Sequence, residues 1–174
     1  MFSKWKSKRE EKPTEHTEHT GQIIEIMAPI SGESVPLNQV PDETFAGGHM
    51  GNGIAIKPSE GILKAPFDGK VAHIVKSSHA VILEHSSGMQ LLLHIGIDTV
   101  SLKGNGFVSH IASGDQVKAG QTLIEFDLEV IRAAGCDTIS PVIVTSTEDT
   151  PPQVNEHYGQ VTAGQDLILT VASK

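Results

Sequence analysis

The chain is a succession of short β-like runs, and this pattern constrains its fold more than any other feature. Eight runs of four to eight residues, many rich in Val and Ile, are bounded by Gly, Pro, Asp or Ser. Apart from one short helix predicted at Leu128–Ala134 and ended by Gly135, no stretch keeps a helical period. We therefore expect an all-β fold, an antiparallel sandwich or barrel-like structure with very short helices. The predicted strands are Gln22–Met27, Gly53–Ile56, Lys70–Val75, Ala80–Glu84, Met89–Ile95, Gln121–Phe126, Pro141–Thr145 and Asp166–Val171.

Two pairs of segments repeat within the chain. Ala28–Val35 resembles Ala65–Val71, and Val117–Ile124 resembles Val161–Ile168. Each is a turn followed by a strand, with Gly supplying a backbone conformation that other residues avoid. The two spacings differ too much for a solenoid, so the pattern indicates an architecture of duplicated turn-strand units.

The first twenty residues differ from the rest of the chain. Residues 1–12 carry five basic and two acidic side chains, and residues 13–20 are polar and of low complexity. Because so little apolar surface cannot offset the entropy of ordering, we expect a flexible arm over 1–20 and one domain over 21–174. An alternative is weak contact of residues 1–12 with an anionic membrane surface, through Phe2, Trp5 and the lysines.

Composition excludes several classes of protein. The net charge of −8 argues against general nucleic-acid binding. No apolar run is long enough to span a membrane, and the charged N-terminus is unlike a signal peptide. The single cysteine, Cys136, excludes a disulfide framework, and without a neighbouring base it is expected to be inert. A cytoplasmic protein is the expectation.

Two of the nine histidines stand out because of their position in a predicted hairpin. The runs holding His79 and His94 flank the short polar link Ser86–Gly88. Folding that hairpin sets the two histidines opposite each other, or within one residue of it, and a one-residue shift would put them on different faces. Paired imidazoles in apolar surroundings can hold a metal, shuttle a proton, or combine a nucleophile with a stabilising neighbour. Two ordinary surface histidines are the plain alternative.

Several collinear motifs resemble one family. The segment Leu93–Val100, continuing as Leu102–Phe107, resembles the signature around the phosphorylated histidine of glucose-type IIA components of the bacterial phosphoenolpyruvate-dependent sugar phosphotransferase system. The signature region covers about residues 43–147. Other matching segments are Val40–Phe45, Gly51–Pro58, Ala65–Gly69, Ser77–His79 and Glu125–Leu128.

The resemblance implies a β-sandwich phosphotransferase that needs no cofactor. It would take a phosphoryl group from the phosphocarrier protein HPr and pass it to a IIB domain of a sugar permease. It also implies that His94 is phosphorylated, that His79 assists onward transfer, that Ser77 supports His79, and that the Gly96 carbonyl orients His94. The implied partner-binding residues are Asp42, Phe45, Val75, Leu92 and Asp98.

The sequence leaves several alternative functions and site features open. Val75, Leu92 and His49 stand where relatives often have other residues, so the docking surface should differ in shape, and His49 is a candidate third nitrogen at the pair. Zinc binding by His79 and His94 is one alternative, although a catalytic zinc needs three protein ligands. A regulatory docking module controlled by phosphorylation is another. The turn at residues 114–123 resembles the turns of biotinyl-type carrier domains. This chain lacks the lysine-bearing hairpin that such carriers need.

Overall fold

The computed structural model describes residues 22–145 and 152–172. The predicted arm at 1–20 and its membrane contact lie outside these residues. No helix in the described part of the chain is long and apolar enough to cross a membrane.

The described residues form fourteen strands and two short α-helices, with two further short 310 helices at Leu37–Gln39 and Thr99–Leu102. Each of the eight predicted strands is present within one or two residues of its expected bounds. The strands are β1 (Ile23–Met27), β2 (Gly32–Pro36), β3 (Asn52–Pro58), β4 (Ile62–Lys64), β5 (Gly69–Ile74), β6 (Ala80–His85), β7 (Gln90–His94), β8 (Phe107–Ser109), β9 (Gln116–Val117), β10 (Thr122–Phe126), β11 (Ser140–Thr145), β12 (Gln153–Glu156), β13 (Gly159–Val161) and β14 (Leu167–Ala172).

Three antiparallel sheets build the domain. The largest has the strand order β13-β2-β3-β11-β7-β6-β5-β9, and the two smaller sheets have the orders β1-β14-β12 and β4-β10-β8. Every strand pairing is antiparallel. The all-β antiparallel prediction is therefore confirmed.

The two helices are as short as expected. The first, α1 (Glu43–Ala46), begins at Asp42, whose side chain accepts the Thr44 amide proton. The second, α2 (Leu128–Ala133), is one residue shorter than predicted. It ends before Gly135, which adopts a left-handed φ of +79°, a conformation that glycine reaches without strain.

The duplicated segments contact each other reciprocally. The Met27 amide donates to the Pro66 carbonyl at 3.2 Å, and the equivalent Lys64 amide donates to the Pro29 carbonyl at 2.8 Å. The second repeated pair adds matching bonds, from Gly164 to the Ala28 carbonyl and from Gly120 to the Ala65 carbonyl. The repeat in the sequence is thus an approximate twofold relation in the backbone.

The large sheet separates two apolar clusters because successive side chains on a strand point to opposite faces. In β7, Leu91 and Leu93 enter the principal core, whereas Leu92 faces the other side. We call the apolar group on that other side the site cluster. Its buried members are Val35, Val40, Phe45, Ala55, Ala80, Leu92, Ile97, Ile139 and Ile143. His94, one of the two histidines predicted to be functional, lies beside this cluster, next to Phe45.

Candidate functional site

The β6–β7 hairpin positions the two histidines, with a register one residue away from direct opposition. His94 ends β7 and pairs with Ala80, the first residue of β6. His79 precedes β6 and therefore belongs to the turn that follows β5, where Ser78 has a left-handed φ of +61°. The expectation that a one-residue shift would separate the faces is wrong here. It assumed that His79 lies inside a strand, where successive side chains point to opposite faces of the sheet. His79 lies in a turn, so this rule does not apply to its side chain.

The structure brings the two imidazole rings together. Their centroids are 5.1 Å apart and their planes are inclined at 78°. The backbone adds a direct link, because the Ile95 amide donates to the His79 carbonyl at 2.7 Å. His79 is buried, whereas His94 is partly exposed, so a group arriving from solvent meets His94.

One hydrogen bond determines which nitrogen of His94 carries the proton. His94 Nδ1 lies 2.6 Å from the Gly96 carbonyl oxygen. Since a carbonyl oxygen can only accept, Nδ1 carries the hydrogen, and in the neutral ring the lone pair is on Nε2. Gly96 reaches this position with a left-handed φ of +69°.

His79 is held by its neighbour Ser77. The Ser77 hydroxyl oxygen lies 2.6 Å from His79 Nδ1. A hydroxyl proton donated to Nδ1 would leave the His79 hydrogen on Nε2, available as a donor. Ser77 thus lies where it can select the tautomer of His79.

Burial keeps both imidazoles neutral near pH 7. Burial first, and then repulsion from a charged His94, lower the pKa of His79 from 6.5 to about 4. Burial also lowers the pKa of His94, although the Gly96 carbonyl and the negative charges of Asp42 and Asp98 act in the opposite direction. A neutral imidazole has a free lone pair, which a nucleophile requires.

The remaining predicted residues surround His94. The Phe45 ring is buried, with its centroid 5.0 Å from that of His94 and a tilt of 54°. Leu92 belongs to the site cluster, and partly buried Val75 packs against it. Asp42 is half-buried at the start of α1, and Asp98 is exposed just beyond β7. An apolar surface with two carboxylates therefore borders the partly exposed imidazole.

The geometry does not support a metal site at the two histidines or a role for His49 as a third ligand. His49 is exposed, and its ring lies close to Gly47. Over residues 22–145 and 152–172, no group of three or more His, Cys, Asp or Glu side chains is arranged to hold a metal ion. Cys136 is half-buried, with its Sγ 3.8 Å from the Asp98 carbonyl oxygen.

Sequence reasoning missed the groups that hold Gly96. Ser140 Oγ accepts the Gly96 amide at 3.1 Å, and Thr99 Oγ1 donates to the Ile95 carbonyl at 2.6 Å. Ser140 is 44 residues from Gly96 in the chain, so no local pattern could associate them. The only available signal was an unusually polar residue at the start of an otherwise apolar strand.

Comparisons with known proteins agree with one another. The family model described as phosphoenolpyruvate-dependent sugar phosphotransferase system, EIIA 1, matches residues 24–150. The PTS system glucose-specific EIIA component of Oceanobacillus iheyensis is 41% identical over 148 residues, which are 85% of this chain and 90% of that protein. Among solved structures, glucose permease IIA from Mycoplasma capricolum has a TM-score of 0.78 and 33% identity, with 86% of this chain and 96% of that chain covered.

Proposed function

The chain belongs to the EIIA 1 family of the phosphoenolpyruvate-dependent sugar phosphotransferase system, and we propose that His94 is its phosphorylated residue and His79 its assistant in transfer. As a glucose-type IIA component it is a phosphotransferase, which carries a phosphoryl group from HPr to a sugar permease. IIA components of this system are cytoplasmic, and we propose the same location for this chain. The single observation that carries the assignment of His94 is its Nδ1 hydrogen bond to Gly96, because it leaves Nε2 as the nucleophile.

The proposed acceptance step forms one bond and breaks another. The lone pair of His94 Nε2 attacks phosphorus, while the bond from phosphorus to the donor's imidazole nitrogen breaks and its electron pair stays on that nitrogen. The Gly96 carbonyl stabilises the positive charge that the His94 ring gains. No metal ion or cofactor is needed for this exchange between two nitrogens.

In this proposal His79 supplies the second group. Its ring centroid is 5.1 Å from that of His94, and Ser77 at Nδ1 directs the His79 hydrogen to Nε2. A preorganised N–H donor at that separation stabilises the negative charge of the phosphoryl group as it departs to the permease. The low pKa of His79 keeps it a neutral donor rather than a cation.

The surface around His94 suits docking of protein partners. Val75 is partly exposed over the buried Phe45 and Leu92 of the site cluster, and Asp42 and Asp98 offer negative charge to a basic partner. We propose that HPr and a IIB domain of the permease both dock here. Contacts with regulatory proteins would use the same surface, since a phosphate of roughly two negative charges changes its affinity for partners.

Phosphoryl transfer in a reconstituted system tests the proposal. The chain is incubated with labelled phosphoenolpyruvate, enzyme I and HPr, and acid-labile phosphate is then mapped by mass spectrometry. We expect His94→Ala to take up no label, and His79→Gln to take up label but pass it poorly to a IIB domain. His110→Gln is the matched control, because exposed His110 pairs with Glu125 in another sheet. Equal labelling of wild type and His94→Ala would overturn the assignment.

Zinc is a separate proposal with its own test. His79 and His94 could supply two nitrogen ligands, and a partner protein would have to supply the others. Metal analysis of wild type and His94→Ala, each alone and in complex with a partner, measures this directly. Equal zinc content in the two proteins would exclude the histidine pair as the ligands.

A further inference from the structure

We propose that Ser140 and Thr99 are positioning residues for phosphoryl transfer, because their hydroxyls hold the backbone that presents the Gly96 carbonyl to His94. The inference rests on the proposed role of His94. It adds two residues that touch neither the phosphoryl group nor a docking partner. Their part is to select the nitrogen of His94 that is free to react.

The peptide group between Gly96 and Ile97 determines where the Gly96 carbonyl points. In a trans peptide the carbonyl and the amide hydrogen point in opposite directions. The Ile97 amide donates to the Asp137 carbonyl at 2.9 Å, so the Gly96 carbonyl is directed away from Asp137 and towards His94 Nδ1. Fixing one end of this planar group therefore aims the other end.

The preceding peptide group, between Ile95 and Gly96, is held at both ends by side chains. Thr99 Oγ1 donates to the Ile95 carbonyl at 2.6 Å, and the Gly96 amide donates to Ser140 Oγ at 3.1 Å. Glycine at a φ of +69° has no β-carbon to restrict rotation, so these bonds replace the restriction that a side chain would give. Without them, the bond from the Ile97 amide to Asp137 would be left alone to hold the Gly96 carbonyl towards His94.

The burial of both hydroxyls makes these bonds structurally decisive. Thr99 is 0% exposed and Ser140 is 1% exposed, so neither hydroxyl can exchange its partner for bulk water. Ser140 Oγ also donates to the Thr138 carbonyl at 2.9 Å, which uses its hydrogen and leaves a lone pair for the Gly96 amide. The roles of donor and acceptor are therefore fixed throughout the arrangement.

The tautomer of His94 is the readout that separates positioning from general stability. Nitrogen-15 NMR of the free protein distinguishes an Nδ1–H ring from an Nε2–H ring. Wild type should show His94 as Nδ1–H only. Ser140→Ala should show a mixture of the two tautomers, together with a phosphate-acceptance rate about fivefold lower, since a lost hydrogen bond of about 1 kcal/mol corresponds to that factor. The KM for HPr should not change, because the docking surface is intact.

The chain offers a matched control in Ser34. Ser34 is also 1% exposed, and its hydroxyl also donates to a backbone carbonyl, that of His157, at 2.8 Å. Ser34→Ala should lose comparable stability while His94 keeps its wild-type nitrogen signals and acceptance rate. Ser140→Thr, which retains the hydroxyl, should restore the Nδ1–H tautomer.

A second variant keeps the inference testable if Ser140→Ala does not fold. Thr99→Val removes the other hydroxyl with little change of shape and should also produce a mixture of tautomers. Wild-type His94 signals in either folded variant would overturn the inference. An absence of phosphate on wild-type His94 would instead overturn the proposed function, so the two failures are distinguishable.

Discussion

Replacement of Gly96 by alanine should lower both the stability of the domain and its rate of phosphate acceptance. A β-carbon at Gly96 would lie 2.7 Å from Thr99 Cγ2 and 2.9 Å from the Asp137 carbonyl oxygen. Both distances are shorter than packed atoms allow, so the backbone must move. The left-handed φ of +69° adds a further penalty for any residue with a β-carbon.

The magnitude follows from two contributions. Left-handed strain costs about 1 kcal/mol, and overpacking in a buried site costs about 1 to 3 kcal/mol. We therefore expect Gly96→Ala to lower the free energy of unfolding by about 2 to 4 kcal/mol. Because the displaced carbonyl no longer receives the His94 Nδ1 hydrogen, the rate of phosphate acceptance should fall at least tenfold, as expected for a lost hydrogen bond to a developing cation.

Urea denaturation gives the stability, and labelled transfer from phospho-HPr gives the rate. Gly120→Ala is the matched control, because Gly120 has a φ of +85° and no atom within 4 Å of its added β-carbon. That control should lose only about 1 kcal/mol and accept phosphate normally. Equal stability losses in the two variants, combined with normal acceptance by Gly96→Ala, would show that the Gly96 backbone does not orient His94.

Three further predictions concern pH, packing and charge. The pKa of His79 is lower in the folded chain, at about 4, than the unfolded value of 6.5, so protons bind the unfolded state more tightly. The free energy of unfolding should therefore fall by about 2 to 3 kcal/mol from pH 6.5 to 4. Urea titrations of His79→Gln should show no such contribution to the pH dependence. Phe45→Leu should raise the KM for HPr in steady-state kinetics. Phe126 is equally buried but lies in the principal core, so Phe126→Leu should lower the stability to urea and leave the KM unchanged. Asp42→Asn keeps the oxygen that caps α1 but loses its negative charge. Its association with HPr at low salt, measured by stopped flow, should therefore slow several-fold. The matched control is Asp127→Asn at the start of α2, which should bind HPr at the normal rate.

The strands that could be predicted from sequence are those with strong local patterns. β6, β7, β11 and β14 are six-residue or five-residue apolar runs between turn residues, and hydrophobicity alone reveals them. The strands missed are two to five residues long, and each contains Gly, Pro or a polar residue. They exist because a distant strand supplies hydrogen bonds, as β3 does for β2 and β5 does for β9. Local propensity contains no information about such partners.

The site was predictable for a different reason. His79 and His94 flank one short hairpin, so their proximity depends on local chain geometry that the sequence displays. Ser140 and Thr99 act through backbone groups, and Asp137 contributes only its carbonyl to Ile97, which any residue type could do. Residue type and spacing therefore indicate the proposed reacting groups, whereas the backbone contacts proposed to orient them are visible only in three dimensions.

The bond from the Ile95 amide to the His79 carbonyl has a kinetic consequence. Because it ties the strand that carries His94 to the turn that carries His79, the two imidazoles share one place at the edge of the hairpin. If His94 accepts and passes on phosphate as proposed, the donor and the acceptor must use this one place in turn. A partner that stayed bound after transfer would then delay the next one, so weak association with each partner would favour rapid turnover.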